Sequence, residues 1–178
     1  LILYVIKNYL QKEIIEFSSY SNDGRINSCM DEDKIIKLLI SEFKDRIIKP
    51  KFRMWYDILL FDYLYGWIPV NIKSTTMLTS DNTGNLTMCV YAYTNQILDI
   101  NTKKDYYFIV FNKNDSNDII INSLKGLNIL TPNINNLPFQ ICWNKNRLFI
   151  YGKIKDKVKL FIDCLKKTKT KLERNIYD

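Results

Sequence analysis

The stretch Trp55-Tyr56-Asp57-Ile58-Leu59-Leu60-Phe61, the turn-rich Asp62-Tyr63-Leu64-Tyr65-Gly66 and the run Ile68-Pro69-Val70-Asn71-Ile72-Lys73-Ser74-Thr75 together decide the fold. Two short apolar and aromatic runs, Tyr56 to Phe61 and Ile68 to Thr75, separated by a turn, read as a β-hairpin. Strand side chains alternate, so Asn71 and Lys73 project from one face while Ile72 points the other way into the core. When the two strands pair, Asp57 lies next to Asn71 and Lys73. A carboxylate, an amide oxygen and an ammonium group then meet at one sheet edge. Phosphodiester hydrolysis needs such a set: hard oxygen ligands for Mg²⁺ and a cation that steers the attacking water.

Upstream of the hairpin, Val5, Ile6, Leu10, Ile14 and Phe17 have the spacing of an amphipathic helix over Leu3 to Phe17, broken by Ser18 to Gly24. Asp31, Glu32 and Asp33 announce a second helix, whose apolar positions are Ile35, Ile36, Leu38, Leu39 and Phe43. Downstream, Thr75 to Asn85 reads as a polar loop and Leu86 to Leu98 as a buried helix. Tyr106 to Phe111 reads as a central strand, followed by an Asn-Lys-Asn-Asp-Ser-Asn-Asp turn. A strand around Ile119 and Ile121, a loop from Thr131 to Pro138, strands at Phe139 to Trp143 and Leu148 to Tyr151, and a basic helix from Asp156 to Glu173 complete the pattern. The fold class expected is α/β, a central mixed β-sheet flanked by helices, in a single domain over residues 1–178.

Composition narrows the chemistry. The chain has 178 residues, of which 47% are hydrophobic and 25% charged, as in a folded protein with a real core. It contains no histidine, which removes Ser-His-Asp and Cys-His nucleophiles, His-ligated zinc and nucleases with a histidine base. Cys29, Cys89, Cys142 and Cys164 form no CxxC pair and read as reduced, buried thiols of a cytoplasmic protein. The opening Leu1-Ile2-Leu3-Tyr4-Val5-Ile6 is too short an apolar run for a membrane span. A formal charge of +7 suits a polyanionic partner, and solubility explains it equally well.

The hairpin and its flanks resemble the PD-(D/E)XK nuclease superfamily, and within it the type II restriction endonucleases. Asp57 matches the first acid, Asn71-Ile72-Lys73 the (D/E)XK triplet, and Glu32 the acid often carried on the helix before the first catalytic strand. The order helix, strand with Asp, hairpin, strand with the triplet, helix, strand covers about residues 31–111, the expected catalytic core. Residues 112–178 would then supply DNA-contacting loops, edge strands and the C-terminal basic helix. Two positions depart from the pattern: Tyr56 stands where proline is usual, and Asn71 stands where an acid is usual, as in some restriction enzymes that carry Asn or Gln there. The resemblance implies a restriction-endonuclease-like fold and a Mg²⁺-dependent endonuclease that cuts double-stranded DNA at a short sequence as a homodimer, with no organic cofactor and no membrane. Asp57, Asn71, Glu32 and the carbonyl of Ile72 would be metal ligands, and Lys73 would act on water and phosphate. Asp31, Glu32 and Asp33 serve a helix dipole equally well, so the metal role of Glu32 stays open at this level.

Hydroxyls and amides beside that site are candidate DNA contacts: Ser74, Thr75 and Thr76 after the triplet, then Asp81, Asn82 and Asn85 in the loop. Asn136, Gln140, Lys145 and Arg147 form a second group suited to base reading. The rival readings are a repair or junction-resolving nuclease of the same fold, a DNA-binding module that lost activity at Asn71, and a basic structural protein with no DNA role.

Overall fold

The computed structural model describes residues 2–19, 22, 24–52, 54–79, 81–85, 105–133, 138–150 and 152–177. The chain gathers into two compact units that alternate along the sequence: Leu1–Thr76 with Tyr106–Ile121, and Met77–Asp105 with Asn122–Asp178.

The first unit is α/β. Helix α1 (Ile2–Leu10) buries Ile2, Leu3, Ile6 and Leu10 along one face. It is shorter than the expected helix to Phe17. Ile14 is exposed, while Ile15, Phe17 and Ser18 turn inward from a non-helical segment, so the apolar spacing that mimics a helix belongs to chain lying against the core. Helix α2 (Gly24–Phe43) starts well before the acidic triplet. Its buried stripe runs Asn27, Asp31, Ile35, Leu39 at four-residue spacing, and the two polar members hide the first turns from a hydrophobic-pattern reading. Asp31, Glu32 and Asp33 therefore sit inside the helix and not at its N-terminus, which overturns the dipole explanation for them.

The sheet of this unit is mixed, in the order β1 (Ile47–Ile48), β2 (Ile58–Asp62), β3 (Gly66–Thr75), β5 (Tyr107–Asn112), β6 (Asp115–Ser123). β2 and β3 form the expected antiparallel hairpin, with Ile58 opposite Val70 and Asp62 opposite Gly66. Its turn is Tyr63-Leu64-Tyr65 followed by Gly66 at φ +69, a left-handed conformation that glycine adopts without a Cβ penalty. β3 and β5 run parallel, Val70 beside Tyr107 and Thr75 beside Asn112. Phe108, Ile109, Val110 and Phe111 are all buried, as befits a strand covered on both faces. The turn after β5 is only Lys113-Asn114. Asp115 to Asp118, expected in the turn, already belong to β6. Ile35, Ile36 and Leu39 join Ile58, Leu60, Ile68, Val70, Ile72 and Ile109 in one core.

The second unit holds a three-stranded antiparallel sheet, β4 (Asp81–Asn85), β8 (Pro138–Ile141) and β7 (Leu130–Pro132), in that spatial order. Residues expected as loops at 81–85 and 131–132 are thus strands, because pairing with β8 satisfies their backbone where side-chain pattern gave no cue. Helix α3 (Ile154–Tyr177) buries Lys157, Phe161, Cys164 and Thr168, and Phe161 meets Phe139 edge-on at 5.2 Å. Asn146 ties the loops: its Oδ1 accepts from the N–H groups of Asn128 and Ile129, and its Nδ2 donates to the carbonyls of Ile129 and Cys142. Residues 148–150 are not a strand. The helix expected over Leu86 to Leu98 lies outside the described residues. No helix among the described residues is long and apolar enough to cross a membrane.

Candidate active site

The hairpin register brings the candidate residues together. β2 begins at Ile58, and the Asp57 N–H still donates to the Val70 carbonyl at 3.0 Å, so Asp57 extends the pairing toward Asn71. Asp57 Oδ2 accepts the Ile72 N–H at 2.7 Å, which pins the carboxylate to the triplet's backbone. Asn71 and Lys73 fall on the half-buried positions of β3, alternating with buried Val70, Ile72 and Ser74. From α2, Glu32 reaches Lys73: Oε1 lies 3.2 Å from Nζ, and the Glu32 side chain is only 16% exposed. The Ser74 N–H also donates to Glu32. Lys73 thus meets Glu32, Asp57 takes the Ile72 N–H, and Asn71 shares the half-buried positions of β3 with Lys73.

The electrostatics are those of an unfinished site. Burial, reinforced by the Asp57 charge and opposed by Lys73, pushes the Glu32 carboxyl up to about 7. Burial likewise raises Asp57, against the pull of Lys73, the Ile72 N–H and Lys49. Asn71 Oδ1 is buried and accepts no hydrogen bond. A buried acceptor without a donor is costly unless something else satisfies it. Two carboxylates held above their ordinary range and an unbonded amide oxygen on β3 are oxygen donors of the type a hard cation takes. Mg²⁺ fits such a set, since it keeps several waters and binds through one or two carboxylates plus substrate phosphate. Among the described residues no cluster of three or more His, Cys, Asp or Glu side chains is placed to hold a metal. Any cation here would rely on the amide as well as on the acids.

A cleft of about 350 Å³ opens beside these groups, lined by Glu32 and Asp57 and by Cys29, Lys49, Lys51, Phe52, Met54 and Tyr56. Lys49 pairs with Asp33 at 2.7 Å across its rim. These cleft residues were missed in the sequence, although the alternation of cation and apolar residue in Lys49-Pro50-Lys51-Phe52 is a signal of the right kind. Tyr56 lines the cleft and is only half-buried, as is Trp55. Cys29 is exposed, against the expectation of a buried thiol; Cys142 and Cys164 are buried, and Cys89 lies outside the described residues.

The softer candidates divide. Ser74 is buried at 3% exposure on the core side of β3, which removes it as a DNA contact; Thr75 is half-buried and Thr76 exposed. Asp81, Asn82 and Asn85 sit in β4, and their side chains lie outside the described residues, as does all of Asn136. In the second unit Gln140 belongs to β8, Lys145 closes a short 3₁₀ turn and is exposed, and Arg147 donates to Asn144 Oδ1 at 3.0 Å. Glu42 is exposed, in keeping with a solvated helix face.

Compared with known protein families the chain matches none, and a comparison with curated proteins yields no relative either.

Proposed function

We propose that the protein is a Mg²⁺-dependent endonuclease of the PD-(D/E)XK kind that cuts double-stranded DNA at a short specific sequence, a type II restriction endonuclease acting as a homodimer. The observation that carries this reading is the convergence of Asp57, Asn71, Lys73 and Glu32, with Asn71 Oδ1 buried and unbonded. Asp57 and Asn71 would hold the cation, aided by Glu32 and the Ile72 carbonyl. When bound, the ion supplies Lewis acidity at the phosphate. Lys73 Nζ orients the attacking water and offsets the negative charge that develops on phosphate. To hold the cation, Glu32, raised to about 7 by burial, would have to release its proton.

Incubation of the protein with phage DNA and Mg²⁺, with EDTA as control, tests the proposal. Discrete bands are expected. A smear would point to a repair or junction nuclease that reads shape. The neutral amide at Asn71 favours one second reading, a module that binds DNA without cutting it, and retained binding with no cleavage establishes that reading.

A further inference from the structure

The positive charge of the chain is unevenly placed. Helix α3, residues 154–177, holds eight of the 26 Lys and Arg but three of the 19 Asp and Glu, so five of the seven net positive charges belong to this one helix. Packing sorts them by face. Lys157, Phe161, Cys164 and Thr168 are buried, and the Lys157 ammonium is used inside, donating to the Leu127 carbonyl at 2.8 Å. Opposite that stripe, Lys155, Lys159, Lys166 and Lys169 share one narrow exposed face at successive spacings of four, seven and three residues. At the α-helical rise per residue the row is about 21 Å long. Lys169 meets Glu173 at 3.7 Å with both side chains more than half exposed, and Lys155, Lys159 and Lys166 form no ion pair among the described residues.

Helix stability does not explain this arrangement. The macrodipole favours cations in the last turn, whereas Lys155 stands in the first. Lys155 and Lys159 are also four residues apart, a like-charge pair that weakens a helix slightly. Four ammonium groups along a packed helix make a line of positive charge that an anionic line would relieve. Duplex DNA is such a line, a stiff rod with one negative charge per ~1.7 Å of axis. Lysine suits phosphate as a point charge on a flexible stem, while base reading favours the arginine fork, which the row lacks. A membrane fits poorly, because the apolar side of α3 is already packed, Phe161 against Phe139, and the exposed side offers only Ile162 and Leu165 among the described residues. A protein partner fits poorly too, since lysine is depleted at the cores of protein interfaces. The cleft of the candidate active site is lined by Glu32, Asp33 and Asp57 against Lys49 and Lys51, so its lining does not attract a polyanion by charge. We propose that Lys155, Lys159, Lys166 and Lys169 form a sequence-independent seat for the phosphate backbone of duplex DNA. The choice of DNA as the polyanion rests on the nuclease reading, and the seat adds to it a surface that holds the substrate without cutting it.

Fluorescence anisotropy in EDTA, with a labelled duplex of arbitrary sequence titrated across salt, measures binding apart from cleavage. The parent protein should bind. Combined Lys155→Gln, Lys159→Gln and Lys166→Gln should cost on the order of 10²-fold in affinity at ~0.1 M salt and lower the salt slope by about one per lysine, whatever the duplex sequence. Glutamine keeps the helix propensity of lysine, and Lys→Arg at the same three positions should leave binding near that of the parent. Combined Lys12→Gln, Lys37→Gln and Lys44→Gln, at exposed lysines of the other unit, removes the same charge and should cost far less. Equal losses in the two triple variants overturn the proposal, because net charge alone would then suffice. Unchanged binding after the three α3 substitutions overturns it, as does absence of duplex binding by the parent. Binding of the parent to phosphatidylserine vesicles and not to duplex overturns it in favour of a lipid surface. Duplex binding that depends on the row, without Mg²⁺-dependent cleavage, sinks the nuclease reading alone, whereas cleavage with binding indifferent to the row sinks only the seat.

Discussion

The β2–β3 hairpin carries an aspartate at each end, and the two are treated in opposite ways. Asp62, at the turn, is buried, which by itself would raise its carboxyl. The N–H groups of Ile2, at 3.0 Å, of Leu64, at 2.8 Å, and of Tyr65 outweigh burial and hold it below the usual range. Asp57, at the open end, receives one N–H and is left raised. The same contrast appears between neighbours in α2. Asp31 is buried, but Lys113 at 2.6 Å and the Ser18 N–H bring it below its ordinary value, whereas Glu32 stays near 7. For Asp62 and Asp31 the donors outweigh burial, whereas for Asp57 and Glu32 burial outweighs the donors they have.

The largest effect expected from this contrast is on chemistry. Lys73→Ala should reduce Mg²⁺-dependent cleavage by ~10²–10³ or more while thermal unfolding changes little, since the lysine is proposed to act on the transition state. Rates of plasmid nicking by parent and variant decide it. Unchanged rates would leave the open end of the hairpin with no catalytic meaning.

At the closed end the expected effect is on stability. Asp62→Asn should cost about 2 kcal/mol in urea unfolding, because several N–H groups lose a charged acceptor. The loss should vanish as pH falls through the depressed folded value of Asp62, below the ordinary 3.8, where the parent acid is protonated too. A variant as stable as the parent at pH 7 would erase the difference between the two ends.

Glu32 should behave with the opposite sign. Its ordinary value is 4.5 and its folded value about 7, so between these the folded chain keeps a proton that the unfolded chain has released. Stability therefore falls as pH rises through that window and is level above it. Glu32→Gln should remove this slope and gain on the order of 2 kcal/mol at pH 8 in EDTA. Urea titrations at pH 5 and pH 8 test it, and a parent with no slope between them would show that Glu32 is not raised.

The smallest effect belongs to the third acid of the run. Asp33 pairs with Lys49 while both remain about half exposed, and such pairs contribute little. Asp33→Ala should change stability by less than about 0.5 kcal/mol. A larger loss in thermal melts would mean that this rim pair belongs with Asp31 among the fold-building contacts.

These comparisons also show what the sequence could carry. The shared face of Asn71 and Lys73 follows from two-residue alternation, and the hairpin strands and the Tyr107–Asn112 strand from short apolar runs, which local pattern records directly. The start of α2 was hidden because Asn27 and Asp31 occupy its buried stripe, and the partners of Asp31, Ser18 and Lys113, lie outside the helix, one of them 82 residues away. The strands of the second unit escaped notice because β4 and β7 owe their state to a shared neighbour, β8, and not to their own composition. Glu32 was named from a resemblance, but its contact with Lys73 depends on helix placement that no local spacing encodes.

The alternation of the two units along the chain has a consequence for the newborn polypeptide. β3 is complete at Thr75, yet its parallel neighbour begins only at Tyr107, after the intervening segment of the second unit. At roughly 5–20 residues per second of synthesis, that edge stands open for on the order of seconds. An open edge bearing Val70 and Ile72 invites pairing with another nascent chain, and a lysine on such an edge discourages it. Lys73, proposed above to act on a phosphate in the finished protein, is the charge that this edge carries until Tyr107–Asn112 pairs with it.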